Sequence, residues 1–261
     1  MEVIIVADAN EIGGVGAAAV AALLGRKPTA VLGLATGSSP LAIYDALARR
    51  WQGGLISFGQ ARGFTLDEYV GLPADHPQRY RNVIDEVFVS RVDFAPGAVQ
   101  GPDGLANDIP AACAEYEAAI RDAGGVDLQI LGIGTDGHIA FNEPGSSLGS
   151  RTRIKTLTRQ TRMDNARFFG GDVDAVPTHC LTQGLATILE ARHLILVATG
   201  RQKAEAVHQL VEGPVSALWP ATILQLHPHV TVLLDEAAAR RLQRVDYYCE
   251  TYRSKPDWQG I

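Results

Sequence analysis

The stretch 127–147, DLQILGIGTDGHIAFNEPGSS, constrains the chain more than any other. Leu128, Ile130, Leu131 and Ile133 form a short apolar run closed by glycines at 132, 134 and 137, which predicts a buried strand that turns sharply at its end. Asp136, His138 and Glu143 follow at once. In open α/β sheets, ligands sit beyond the carboxyl ends of the strands, so chemistry is expected here. Carboxylates beside an imidazole fix its tautomer and favour its charged form, which suits a group that moves protons near neutrality. Taken alone, the Asp-Gly-His tripeptide admits a second reading, with Asp136 as a helix cap, His138 as a satisfied polar residue and Glu143 solvated. The full string GxGxDGHIAFNEPxSS is far more specific.

Other strand-turn-helix units surround it. Val3–Ala7 reads as a buried strand and Ala9–Leu24 as an alanine-rich helix despite glycines at 13, 14 and 16. Thr29–Leu34 is a second strand, ending in Ala-Thr-Gly-Ser-Ser-Pro before the helix LAIYDALARRW. Free amides at such a helix start make an anion site of Gly37, Ser38 and Ser39. The alternative is that a serine merely caps the helix, with Pro40 at its first position. The turn lacks the lysine of a P-loop and the spacing of GxGxxG, so a nucleotide is not indicated.

Arg62–Leu66 is a third strand running into Asp67-Glu68, where one carboxylate is expected inward and the other solvated; without the other motifs, the default reading is a loop capped by acids before Pro73. Helices are expected from His76 to about Phe88, within 103–124, over Leu181–Glu190, and from Asp235 to about Tyr252. Strands are expected at His193–Ala198, leading into Thr199-Gly200-Arg201-Gln202-Lys203, and at Val230–Leu234. The basic run 151–156 is either a solvated face or an anion contact. The polar, aperiodic segment 157–180 reads as a mobile lid, within which Arg167 beside Phe168 and Phe169 is expected to be anchored. His227-Pro228-His229 is a turn, not a metal pair, since no third ligand is evident. About six strands alternating with helices, without repeat or linker, predict one α/β domain over 1–261 with a doubly wound, mostly parallel sheet and helices on both faces.

Composition narrows the partners. A chain of 261 residues that is 46% hydrophobic and 20% charged can build a full core. Its formal net charge of −6 disfavours a nucleic-acid or anionic-membrane surface. Cys113, Cys180 and Cys249 are odd in number and form no CxxC pair, which suits a reduced cytoplasmic setting. The start MEVIIVADANEIGG has no basic n-region and is not read as a secretory signal, and no apolar stretch is long enough to span a bilayer.

TGSSP at 36–40, LDEYVGL at 66–72, GIGTDGHIAFNEPGSS at 132–147, SRTRIKTLT at 150–158 and NARFF at 165–169 together resemble glucosamine-6-phosphate deaminases, collinearly and over nearly the whole chain. The resemblance implies a modified Rossmann-like fold and conversion of glucosamine 6-phosphate and water to fructose 6-phosphate and ammonia, with no metal or organic cofactor. Asp67 then matches the base that moves a proton between C2 and C1. His138 matches the ring-opening group, with Asp136 and Glu143 as its partners. Gly37, Ser38, Ser39, Arg167 and Lys203 match the phosphate site. Some members are hexamers activated by N-acetylglucosamine 6-phosphate bound between subunits, which implies a homo-oligomer here and matches Ser146, Arg153, Lys155, Thr156 and Tyr247. Thr135 replaces the family's usual asparagine, Thr65 stands where asparagine is frequent, and Ser39 stands where threonine is common. A 6-phosphogluconolactonase is the competing enzyme, disfavoured by IAFNEP after the histidine. A non-catalytic sugar-phosphate sensor would be expected to have lost one of Asp67, Asp136, His138 or Glu143.

Overall fold

The computed structural model describes residues 1–256 and 258–261. Strand β1 (Glu2–Val6) leads into helix α1 (Ala9–Arg26), which is capped by the Asp8 carboxylate accepting from the amides of Asn10 and Glu11. Two of its glycines, Gly13 and Gly16, are packing devices. A Cβ on Gly13 would lie 2.4 Å from the Ala42 carbonyl oxygen, so α1 can press directly on α2 (Leu41–Gln52) only with glycine there. Between them, β2 (Val31–Leu34) is wholly buried.

The chain continues through β3 (Arg62–Thr65), β4 (Asp67–Tyr69), α3 (Tyr80–Val87), β5 (Val99–Gln100), α4 (Ile109–Asp122) and β6 (Leu128–Gly132). Then come β7 (Arg153–Thr156), α5 (Arg159–Asn165), β8 (His179–Thr182), α6 (Leu185–Leu189) and β9 (His193–Ala198). The last elements are α7 (Ala204–Glu212), β10 (Val230–Asp235), α8 (Glu236–Ala239) and α9 (Val245–Arg253).

Seven strands form one parallel sheet in the order β1-β10-β9-β6-β2-β3-β5. The single α/β domain with a mostly parallel sheet is therefore as the sequence predicts. All six residues of β9 are buried, which explains why it reads as an unbroken apolar run instead of an alternating one. Each fully buried leucine or isoleucine there contributes about 1.5–3 kcal/mol.

Several boundaries differ from expectation. A separate antiparallel sheet, β4-β8-β7, was not expected: residues 179–182 are strand, so the helix predicted from Leu181 is confined to Leu185–Leu189. The helix expected from His76 begins only at Tyr80, and the final helix is broken between Ala239 and Val245. The aperiodic segment 157–180 contains α5 and a short 3-10 turn, Ala166–Phe168. It packs through Leu157, Ala166, Val176 and Cys180 into a small apolar cluster with Tyr69, Leu72 and Phe141, apart from the main core.

Candidate active site

The strand order reverses direction between β6 and β2: from β2 the sheet grows through β3 and β5, and from β6 through β9 and β10. A crevice opens at such a point beyond the carboxyl ends. The turns after β2 and β6 meet there, since a Cβ on Gly132 would lie 3.4 Å from Ser39 Oγ.

Asp67 lies past the end of β3, where the chain leaves the large sheet to start the small one. It is 6% exposed, and no group among the described residues hydrogen-bonds its carboxylate. Burial, helped by the neighbouring Glu68 charge, pushes its pKa up to about 8. Glu68 departs from expectation: it is not solvated but buried at 2% exposure. It accepts from the amides of Tyr69, Tyr80 and Arg81, with Arg79 Nε 3.6 Å away. Burial raises its pKa and those bonds offset part of the rise. Glu68 anchors the free amides at the start of α3, which leaves Asp67 as the uncommitted acid.

After β6 the backbone closes a tight turn, with Gly134 N donating to His138 O at 2.9 Å. His138 Nδ1 lies 2.7 Å from Asp136 Oδ1 as an ion-pair contact whose alignment falls short of a formed hydrogen bond, while the His138 amide donates to the same oxygen at 3.2 Å. Partial burial raises the Asp136 pKa, but the contacts with His138 outweigh it and leave the net shift downward. Ala140 follows at φ 50, a strained value that among the described residues only glycines otherwise share in sign. Asn142 pins this loop through Nδ2 to the carbonyls of Ile139 and Gln183. Glu143, 7% exposed, accepts from Thr161 Oγ1 and lies beyond ion-pair range of His138. Of the two carboxylates matched to the histidine, only Asp136 touches it.

Neither Ser38 nor Ser39 caps α2: Pro40 occupies the cap position and no side chain bonds there. Both hydroxyls and the loop around Gly37, at φ 89, are thus free to face an anion. Arg167 is exposed, with its guanidinium 4.7 Å above the Phe168 ring. Burial lowers the pKa of Lys203; Asp136 opposes the shift, while Arg167 adds to it, so these charges share one region.

In the basic run, Arg151 is spent on Glu117 and Glu190. Arg153 and Lys155 have no carboxylate partner among the described residues, and both lie on β7 in register with Thr182 and Cys180. Ser146 Oγ is buried without a partner. Thr156 is exposed next to them, whereas Tyr247, 59% exposed, stands on α9 against β1 at the far edge of the large sheet. The sequence did not flag Tyr69, although the strand period of two places it on the face of Asp67, nor Trp219, whose ring packs against Gly137.

A family model described as glucosamine-6-phosphate isomerases/6-phosphogluconolactonase matches residues 9–233. The chain belongs to this family. The glucosamine-6-phosphate deaminase of Mycolicibacterium smegmatis is 81% identical over 261 residues, covering 100% of both chains. That of Beutenbergia cavernae is 72% identical with the same coverage. A solved monomeric glucosamine-6-phosphate deaminase is 42% identical with a TM-score of 0.89, over 92% of this chain and 100% of that one. The 6-phosphogluconolactonase of Trypanosoma cruzi, 21% identical with a TM-score of 0.75 over 93% of this chain and 97% of that one, shares the fold. Within the family, the chain thus sits on the deaminase side.

Proposed function

We propose that the chain converts D-glucosamine 6-phosphate and water to D-fructose 6-phosphate and ammonia. The observation that carries this is the pair of groups beyond the strand ends: past β3 a buried carboxylate that no group among the described residues hydrogen-bonds, and past β6 a histidine held by a second carboxylate. His138, backed by Asp136, moves the proton that leaves O1 and reaches O5 as the sugar ring opens. Asp67 takes the proton from C2 while O1 takes one up from solvent, which gives an enolamine, and Asp67 then returns its proton to C1. C2 is then an iminium carbon, to which water adds as ammonia leaves and the ketone forms. A carboxylate with a raised pKa suits removal of a carbon-bound proton, because its basicity is closer to that of the carbon acid. Glu143 acts at one remove, through the lid residue Thr161.

The phosphate is held by the loop amides and hydroxyls of Gly37, Ser38 and Ser39, with Arg167 and Lys203 supplying charge. The segment 157–180 is read as the lid of the domain. Its packing into the small apolar cluster, and not the main core, supports this, since it can open without disturbing the large sheet. Ser146, Arg153, Lys155, Thr156 and Tyr247 are read as a regulatory site for N-acetylglucosamine 6-phosphate. Because β7 and α9 stand apart in one chain, these five require two copies to close a site, which supports a homo-oligomer such as a hexamer. The solved relative at 42% identity is monomeric, so sedimentation of the purified chain decides the point. No helix among the described residues is long and apolar enough to cross a membrane. All three cysteines are free thiols, which suits a cytoplasmic setting.

Ammonia and fructose 6-phosphate released in equal amounts from glucosamine 6-phosphate establish the activity, and a saturation curve shifted by N-acetylglucosamine 6-phosphate adds the regulatory site. Hydrolysis of 6-phosphogluconolactone without ammonia release overturns the assignment.

A further inference from the structure

The strand that carries Asp67 and the segment that carries Arg167 meet at one hydroxyl. Tyr69 lies two residues past Asp67 on β4, so both side chains leave the same face of the small sheet. It is 2% exposed. Its hydroxyl accepts from Asn165 Nδ2 at 3.1 Å and from the Tyr80 hydroxyl at 3.3 Å. Asn165 is the last residue of α5, and the 3-10 turn Ala166–Phe168 that presents Arg167 begins directly after it. The Tyr69 ring also packs edge-on to Phe169 at 5.7 Å and tilted to Tyr80 at 4.8 Å. Ring packing supplies contact area that tolerates sliding, whereas a hydrogen bond sets a distance and a direction. Burial raises the pKa of both tyrosines, so the hydroxyls stay protonated as this network requires.

We propose that Tyr69 is a positioning residue for substrate binding: its hydroxyl holds Asn165 and thereby sets the reach of Arg167 onto the phosphate. This rests on the phosphate-binding part of the function proposed above. Binding of sorbitol 6-phosphate, an open-chain hexose phosphate with no amine to lose, measured by calorimetry, reads it without turnover. Tyr69→Phe is expected to weaken binding about five- to tenfold, the factor one lost hydrogen bond is worth. KM for glucosamine 6-phosphate rises by a similar factor and kcat holds within about twofold, as for an interaction made equally in ground and transition states. Asn165→Ala, at a partly exposed site, gives the same pattern and carries the test if Tyr69→Phe does not fold. In an Arg167→Ala background Tyr69→Phe changes binding no further, because its effect runs through that arginine. Unchanged sorbitol 6-phosphate binding in both single variants, or losses that add fully to that of Arg167→Ala, overturns the proposal. A wild-type chain that binds sorbitol 6-phosphate with the predicted variant pattern but releases no ammonia leaves Tyr69 in this role and removes the deaminase chemistry instead.

Discussion

Asp67 and Arg153 sit in register on either side of Thr182, one on each outer strand of the small antiparallel sheet. The candidate base and a cation with no carboxylate partner among the described residues are therefore separated by a single strand. Thr182 is fully buried, and its Oγ1 also accepts from the Phe141 amide at 3.1 Å, which ties in the loop that follows His138. Three parts of the site share this residue.

Thr182→Val keeps the shape and removes the acceptor. The Phe141 amide is then left buried and unpaired, which costs about 1–3 kcal/mol. The expected outcome is a lower denaturation midpoint together with reduced kcat, because the loop after His138 loses its fixed point. A variant that loses stability but keeps kcat would show that this bond does not hold the turn bearing His138 in place.

Asp67→Asn separates catalysis from stability. Turnover should be abolished while sorbitol 6-phosphate still binds. The native carboxyl has its pKa raised from 3.8 to about 8, so the unfolded chain releases this proton first as pH rises. The wild type consequently loses stability between those two values, and the loss levels off above about 8, whereas asparagine does not titrate. Thermal melts should show the variant gaining on the wild type from pH 4.5 to pH 8. Parallel melting curves across that range would mean that Asp67 is not desolvated.

Two glycines of the candidate catalytic stretch should respond differently. Gly137 has φ 79, and a Cβ there would fall 2.7 Å from Trp219 Cε3; Gly145 has φ 84 with nothing within 4 Å of an added Cβ. Gly145→Ala therefore pays only for the left-handed backbone, about 1–2 kcal/mol. Gly137→Ala must in addition displace Trp219 or the turn bearing His138, so it should be the less stable of the two and lose kcat as well. Equal stabilities and equal kcat values would remove Trp219 as a brace of that turn.

The large sheet was legible because its strands are buried on both faces and read as unbroken apolar runs, as at Leu194–Ala198. The small sheet was not. β4 consists of Asp67, Glu68 and Tyr69, whose burial is decided by partners far along the chain and not by an apolar pattern. The pairing of Asp136 with His138 could be anticipated from their spacing across a glycine turn. The fate of Glu68 could not, since it depends on the amides at the start of α3. Glu143 likewise shows its partner, Thr161, only once the segment 157–180 is folded against it.

Away from the site, His193 and His229 stack at 3.6 Å with rings 1° from parallel. His193 Nε2 lies 2.9 Å from Thr231 Oγ1. Burial, with the adjoining His229 and His227 and with Lys255, lowers the pKa of His193 to about 3, and burial lowers that of His229 as well. Lys255 is itself paired with Glu2 at 2.6 Å. The sign follows directly. The native histidine stays neutral while the unfolded one takes a proton below 6.5, so stability is present above that pH and is lost as pH falls toward 3. Between pH 7.5 and pH 5 one such group removes about 2 kcal/mol. His193→Gln keeps an amide near Thr231 and cannot titrate, so its unfolding free energy should fall less over this interval. Chemical denaturation at the two pH values checks it: an identical drop in variant and wild type would show that His193 already shares its proton equilibrium with the unfolded chain.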